Sequence, residues 1–311
     1  FWTPAIAEAI GTERSPKAGS GSPIHADLAD LGERRLAAMD AGDIDLQVIS
    51  HTTPGVQNLD ADRAVPLARE ANDRLAAAVA DHPDRFAGFA TLPTTAPSAA
   101  ADELERAVSE LGLRGAMVNG HSAGRFLDHP DFDVLLERFE RLGVPLYLHP
   151  TEPVPAVRAA YYEGFAPAAA WFLSAAAWGW HAETGLHVLR LVVAGVFDRH
   201  PGLQLIIGHM GEMLPFMLER IDHSLPPSVT GLDGKPSEYI RANVHITTSG
   251  LFSVPPLLCA LTVFGPERIL FSVDWPYSSN EDGRQLLETA PLSPADLERI
   301  AHGNAEQLLG L

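Results

Sequence analysis

Val144-Pro145-Leu146-Tyr147-Leu148-His149 is apolar almost throughout and ends on a histidine. A strand with one wet face alternates polar and apolar residues. A run that is apolar at both sets of positions is buried on both faces, as in a parallel sheet. The flanks agree. Before it, residues 131–142 place Leu135, Leu136, Phe139 and Leu142 at helical spacing. After it, residues 180–199 read mostly as helix, and a second short run over 204–208 (Gln-Leu-Ile-Ile-Gly) is followed by His209.

The same alternation extends outward in both directions. Strands are predicted over 45–50, 85–92, 115–120, 244–249 and 268–273, and helices over 62–81, 98–111, 213–223 and 255–264, with more helix to the C-terminus. In 62–81, Val65, Ala68, Leu75 and Val79 share one stripe. Seven strand–helix units of this kind form either a doubly wound open sheet or a (β/α)8 barrel. No Gly-x-Gly-x-x-Gly follows a strand, so the dinucleotide-binding form of the open sheet has no support. One long irregular stretch, about 150–177, follows the strand 144–149; in a barrel it lies over the C-terminal mouth. The chain begins Phe1-Trp2-Thr3-Pro4 and not with Met. Either way one α/β domain over 1–311 is expected; if it is the (β/α)8 TIM barrel, an eighth, first strand would lie before Phe1.

Composition narrows the function. Asp and Glu number 40 against 22 Lys and Arg, a formal net charge of −18, in a chain of 311 residues that is 46% hydrophobic. That is a globular protein without the basic stripe of a nucleic-acid binder. No run of about 18 apolar residues marks a membrane span. The lone Cys259 excludes a disulfide framework and fits a reducing compartment. With no signal peptide in view, a cytoplasmic location is expected.

The residues just past the strands are His51, Pro93, Asn119, His149, His209, Ser249 and Asp274. Barrel topology brings such ends to one mouth, where imidazole nitrogen and carboxylate oxygen can hold a divalent ion. His82, His129 and His200, each before a Pro in turn-like sequence, carry no assigned chemistry.

Four motifs sharpen this reading: Leu146-Tyr147-Leu148-His149-Pro150, Ile206-Ile207-Gly208-His209-Met210-Gly211-Glu212, His245-Ile246-Thr247-Thr248-Ser249-Gly250, and Leu270-Phe271-Ser272-Val273-Asp274-Trp275-Pro276. Together they resemble the amidohydrolase-2 family. Within it the chain is most similar to the γ-resorcylate and 2,3-dihydroxybenzoate decarboxylases, relatives of aminocarboxymuconate semialdehyde decarboxylase. The likeness runs over nearly the whole chain and includes Arg35-Leu36-Ala37-Ala38-Met39-Asp40, Pro54-Gly55-Val56-Gln57 and Gly303-Asn304-Ala305-Glu306.

The resemblance implies a barrel, one divalent metal ion (Zn or Mn) and a metal-dependent, non-oxidative decarboxylation of an aromatic acid. It implies His149 and Asp274 as metal ligands, with Asp274 also protonating the ring carbon, and His209 as a catalytic histidine partnered by Glu212. Arg220 matches a substrate-side arginine, though a plain salt bridge is an equal reading. Trp180 and Tyr277 fall at aromatic pocket walls or in ordinary packing. His51 and Asn119 are further pocket candidates. The family's other two ligands form a Glu-x-His or His-x-His motif, expected directly ahead of Phe1. The implied partner is a small aromatic carboxylate, and a homodimer or homotetramer is expected. Segments 119–127 and 152–177 depart from the resorcylate enzymes, which leaves the acid open. The alternatives are a metal-dependent hydrolase or hydratase with Asp274 as base, and a non-catalytic binding protein.

Overall fold

The structure, a computed structural model, describes residues 1–11 and 23–311. Its strands are β1 (Gln47–Ile49), β2 (Phe86–Gly88), β3 (Ala90–Thr91), β4 (Ala116–Asn119), β5 (Leu146–His149), β6 (Leu205–Ile207), β7 (Val244–Thr247) and β8 (Ile269–Leu270). All pairings are parallel and follow chain order: β1 with β2, then β3 through β8 in one sheet. Between successive strands lie helices, among them Ala61–Asp81, Pro97–Ser109, Asp133–Leu142 and Gly179–Val193.

One predicted strand differs. Residues 85–92 form β2 and β3, parted by Phe89, whose N–H donates to Ile49 O at 2.9 Å. On either side of Phe89 the strand changes partner, from β1 to β4. The stretch 150–177 is likewise not irregular, for it contains the helices Pro155–Tyr161 and Pro167–Ser174. Each opens with proline at its first position, where the missing N–H costs nothing, and continues into alanine-rich sequence.

Strand register places the side chains. Met117, Tyr147, Ile206 and His245 align across β4 to β7. Phe89, Tyr147, Ile206 and Leu270 pack together with Val48 and Met117, closed off below by Leu308 and Leu309. This is the interior layer of a barrel. The larger apolar cluster, including Leu75, Leu104, Phe139, Val188 and Phe264, lies between strands and helices. Side chains alternate along a strand, so Asn119 and His149, paired in register two residues beyond Met117 and Tyr147, share the interior face at the C-terminal end.

Among the described residues β1 and β8 do not pair, and side chains span that side of the ring. The Thr52 and Tyr277 hydroxyls meet at 2.8 Å, Asn280 Nδ2 donates to Ala38 O at 2.9 Å, and the Arg35 guanidinium lies 4.5 Å over the Trp275 ring. At Gly42 any Cβ would collide with Asn280, so glycine permits this approach. No helix of the described residues is long and apolar enough to cross a membrane.

Candidate active site

The floor of the mouth is polar. The Tyr147 hydroxyl lies 3.3 Å from Thr247 Oγ1, which lies 2.7 Å from Ser249 Oγ. Burial pushes the Tyr147 phenol up to about 12, so it stays an O–H. Ser249 Oγ accepts the His209 N–H at 3.2 Å.

His209 begins an unusual segment. His209, Met210, Gly211, Glu212 and Met213 have φ of 50, 54, 84, 52 and 66°, five consecutive residues in the left-handed region. Such residues ordinarily occur singly, because Cβ crowds the following carbonyl. The turn folds Glu212 back under its own histidine. His209 Nδ1 donates to Glu212 Oε1 at 2.6 Å, with Glu212 1% exposed. Burial opposes both charges, but each offsets the other. The Glu212 charge and hydrogen bond, with Asp274 beyond, raise the His209 pKa, and His209 with His181 hold Glu212 well below the carboxylate range. The pairing with Glu212 favours the charged form of His209 and fixes its Nδ1 proton.

His181 was not foreseen from the sequence. It lies in the first turn of the helix Gly179–Val193, and its Nδ1 sits 2.6 Å from Glu212 Oε2. No strand end marks it; the only signal is a histidine among Trp178, Gly179, Trp180 and Ala182. Among the described residues, His181, His209 and Glu212 are the one group of three whose potential ligand atoms all lie within 4.8 Å of one another. Both carboxylate contacts are 2.6 Å long, a charge-assisted N–H···O distance that leaves no space for an ion between donor and acceptor. The group is a hydrogen-bonded relay.

His149 has the features of a ligand. Its Nδ1 donates to Pro150 O at 2.8 Å, and burial, with the neighbouring His209 charge, pulls its pKa down to about 4. The ring is neutral with a bare lone pair on Nε2, the form a metal requires. The His209 ring centroid is 5.9 Å away and that of Trp180 6.0 Å. Asp274, at φ 73°, follows β8 and acts electrostatically on His209, Tyr147 and Tyr277. Imidazole nitrogen and carboxylate oxygen are donors that suit Zn or Mn, and His149 and Asp274 both lie close to His209 at this mouth.

The remaining candidates separate. Trp180 Nε1 and Asn119 Oδ1 are buried without hydrogen-bond partners. Gln57 holds the Asn119 backbone at both its N–H and its carbonyl, which fixes the side chain in place. Tyr277 is half-exposed, its hydroxyl on Thr52 and its N–H donating to Asp274 O at 2.9 Å. His51 is used structurally. Its Nδ1 donates to Thr52 O at 2.8 Å and its Nε2 accepts the Thr3 N–H at 3.3 Å, pinning the first residues of the chain beside β1. Burial pulls its pKa down to about 3. Arg220 lies exposed on the helix Leu214–Ser224, outside the cluster and without a hydrogen bond or ion pair.

A parallel sheet wound in chain order, with histidine and carboxylate side chains at its C-terminal ends, defines a metal-site barrel, and the chain belongs to the amidohydrolase family, whose model matches residues 23–311. It is 44% identical to the decarboxylase orsB of Emericella nidulans over 99% of this chain and 94% of the relative. To the γ-resorcylate decarboxylase of Rhodococcus jostii it is 40% identical, over 93% and 90% respectively. Among solved structures, a dihydroxybenzoic acid decarboxylase from Polaromonas sp., with bound manganese and the inhibitor 2-nitroresorcinol, superposes with a TM-score of 0.91 at 37% identity, covering 100% of this chain and 95% of that one. The fold is the (β/α)8 barrel that the family resemblance implied, the close relatives are carboxy-lyases, and a homologous structure carries a divalent metal.

Proposed function

We propose that the chain is a metal-dependent, non-oxidative decarboxylase of an ortho-hydroxybenzoate-like acid. The observation that carries the reading is one mouth holding a neutral, half-buried His149, the Asp274 carboxylate, and the His209–Glu212 pair, in a chain whose relatives are decarboxylases.

A divalent ion held by His149 and Asp274 supplies Lewis acidity and a fixed orientation for the carboxylate and the neighbouring hydroxyl. The protein's own groups handle the proton. The Asp274 carboxylate takes a proton from the His209 imidazolium, to which it is electrostatically coupled, and delivers it to the ring carbon that bears the carboxylate, forming a C–H bond and interrupting aromaticity. The C–C bond then breaks, CO2 leaves, and its bonding pair returns to the ring. One proton is consumed per turnover, and water returns it to His209 before the next cycle. Glu212 keeps Nδ1 of His209 protonated, so the exchangeable proton is the one on Nε2.

Asn119 Oδ1 and Trp180 Nε1 are an unused acceptor and donor in the same wall. Buried polar atoms of this kind favour a polar, hydroxylated ring over a plain benzoate. Phe216, 85% exposed beside Met213 and Met217, supports a homo-oligomer, and a cytoplasmic enzyme fits the single free Cys259.

The test is to load the protein with Mn or Zn and follow CO2 release from salicylate, 2,3-dihydroxybenzoate and 2,6-dihydroxybenzoate. Turnover of at least one is expected. Inactivity of the metal-loaded protein on hydroxybenzoates as a class, with hydrolysis of an ester or amide instead, would overturn the reading.

A further inference from the structure

We propose that His181 is a positioning residue for the His209–Glu212 pair, clamping the second carboxylate oxygen of Glu212 and tying the pair to the covering segment 150–177. The proposal deepens the decarboxylase reading and rests on it for its kinetic consequence.

The geometry is that of a built clamp. Glu212 is 1% exposed, and its two oxygens have separate partners, Oε1 on His209 and Oε2 on His181, both at 2.6 Å. A buried carboxylate oxygen without a donor is costly, so His181 answers a need that His209 alone leaves unmet. The other nitrogen of His181, Nε2, lies 2.9 Å from the carbonyl of Ala176. A carbonyl only accepts, so Nε2 carries a hydrogen, and a further proton is needed in the short contact between Nδ1 and Glu212. One ring thus bridges the Glu212 turn and the chain that covers the mouth. The two imidazoles meet edge to face, with centroids 5.0 Å apart, which fixes the plane of each.

A second contact comes from the same helix one turn later. A Cβ on Gly185 would sit 2.9 Å from Glu212 O, so the bare backbone of Gly179–Val193 presses directly on the Glu212 main chain. The helix therefore holds this residue by its side chain through His181 and by its backbone through Gly185. Without His181 the carboxylate is free to turn about its last bond, and Oε1 no longer stays on His209 Nδ1. The consequence is a loss of orientation at His209 while the surfaces that bind the aromatic acid are untouched.

The experiment compares the metal-loaded full chain with His181→Ala and His181→Asn. Asparagine keeps an N–H donor near the position of Nδ1. Three readouts are taken: kcat and KM for CO2 release, thermal unfolding, and the far-downfield imidazole N–H proton resonances. Expected for His181→Ala are a folded protein, kcat lower by roughly tenfold with KM within about twofold, and a shifted His209 Nδ1–H resonance. His181→Asn is expected to recover most of kcat. An alanine variant with unchanged kcat, an asparagine variant no better than alanine, or an unmoved resonance would each overturn the proposal. If His181→Ala does not fold, His181→Phe keeps the ring volume, removes both nitrogens and takes its place. Wild-type protein inert on every hydroxybenzoate refutes the decarboxylase reading instead, and the resonance still decides the clamp.

Discussion

His181 and Glu212 stand 31 residues apart on different elements, yet Nδ1 of one lies 2.6 Å from Oε2 of the other, so that two histidines share a single buried carboxylate. The shared group accepts on both oxygens and needs its full negative charge to do so. Glu212→Gln puts an NH2 where one of two N–H donors now points. The expected result is a kcat about a hundredfold lower, from loss of general acid–base function, in a protein that still folds. Steady-state CO2 release with circular dichroism as the folding control checks it; a kcat near wild type would mean that the His209 proton is not in use.

Asp274 is the proposed donor to the ring carbon. Asp274→Asn keeps shape and metal-capable oxygen but has no acidic proton to give. Turnover is expected to fall by at least about a hundredfold while the unfolding transition stays cooperative. Metal content measured alongside separates the two roles: a variant that keeps its ion yet is inactive assigns the proton, and one that retains activity removes Asp274 from the chemistry.

Metal dependence has its own readout. Treatment with a chelator is expected to abolish CO2 release, and Mn or Zn to restore it. His149→Ala removes the one neutral imidazole placed to bind, and metal affinity measured by titration and elemental analysis should fall by at least about tenfold. Full metal occupancy in that variant would exclude His149 as a ligand.

A pH prediction rests on a histidine away from the site. His187, 1% exposed, accepts the Leu127 N–H on Nε2 at 2.8 Å, and burial pulls its pKa from 6.5 to about 3. Between those values the unfolded chain binds a proton that the folded one refuses, so unfolding becomes easier as pH falls. This one group contributes a slope of about 1.4 kcal/mol per pH unit in that window. Stability should be level in this respect above pH 6.5 and decline below it. His187→Gln, which can still accept from Leu127 through its amide oxygen, should flatten the decline by about one proton between pH 6.5 and 5 in urea titrations. An unchanged slope would show that His187 is protonated in the folded protein.

The fold was readable because the strands are short apolar runs, so that the residue after each run marks the barrel mouth. By that rule His149, His209, Asp274 and Asn119 stand out as candidates, whereas Glu212 came only with the family resemblance. His181 was not, because a helix that crosses the mouth leaves no such punctuation. The helices Pro155–Tyr161 and Pro167–Ser174 were hidden for a different reason: each is two turns or so, too short for a period to show, although the prolines that open them were visible. His51 fitted the strand-end rule and yet serves the backbone of Thr3 and Thr52, since the rule gives position and not hydrogen-bond partners. Arg220 was placed by resemblance alone, and its side chain stands in solvent.

The left-handed run from His209 to Met213 has a meaning for how such a sequence persists. Four of its five residues are not glycine, and each holds a conformation disfavoured by roughly 1 kcal/mol or more. Folding alone gains nothing from them, and a net stability of about 5–15 kcal/mol makes the sum a serious drain. A descendant relieved of its chemistry would shed this turn early, by drift toward glycine or a right-handed loop, while the apolar strands endured. On this reading, a sister sequence with the same barrel but without the His-Met-Gly-Glu-Met turn is expected to lack the activity.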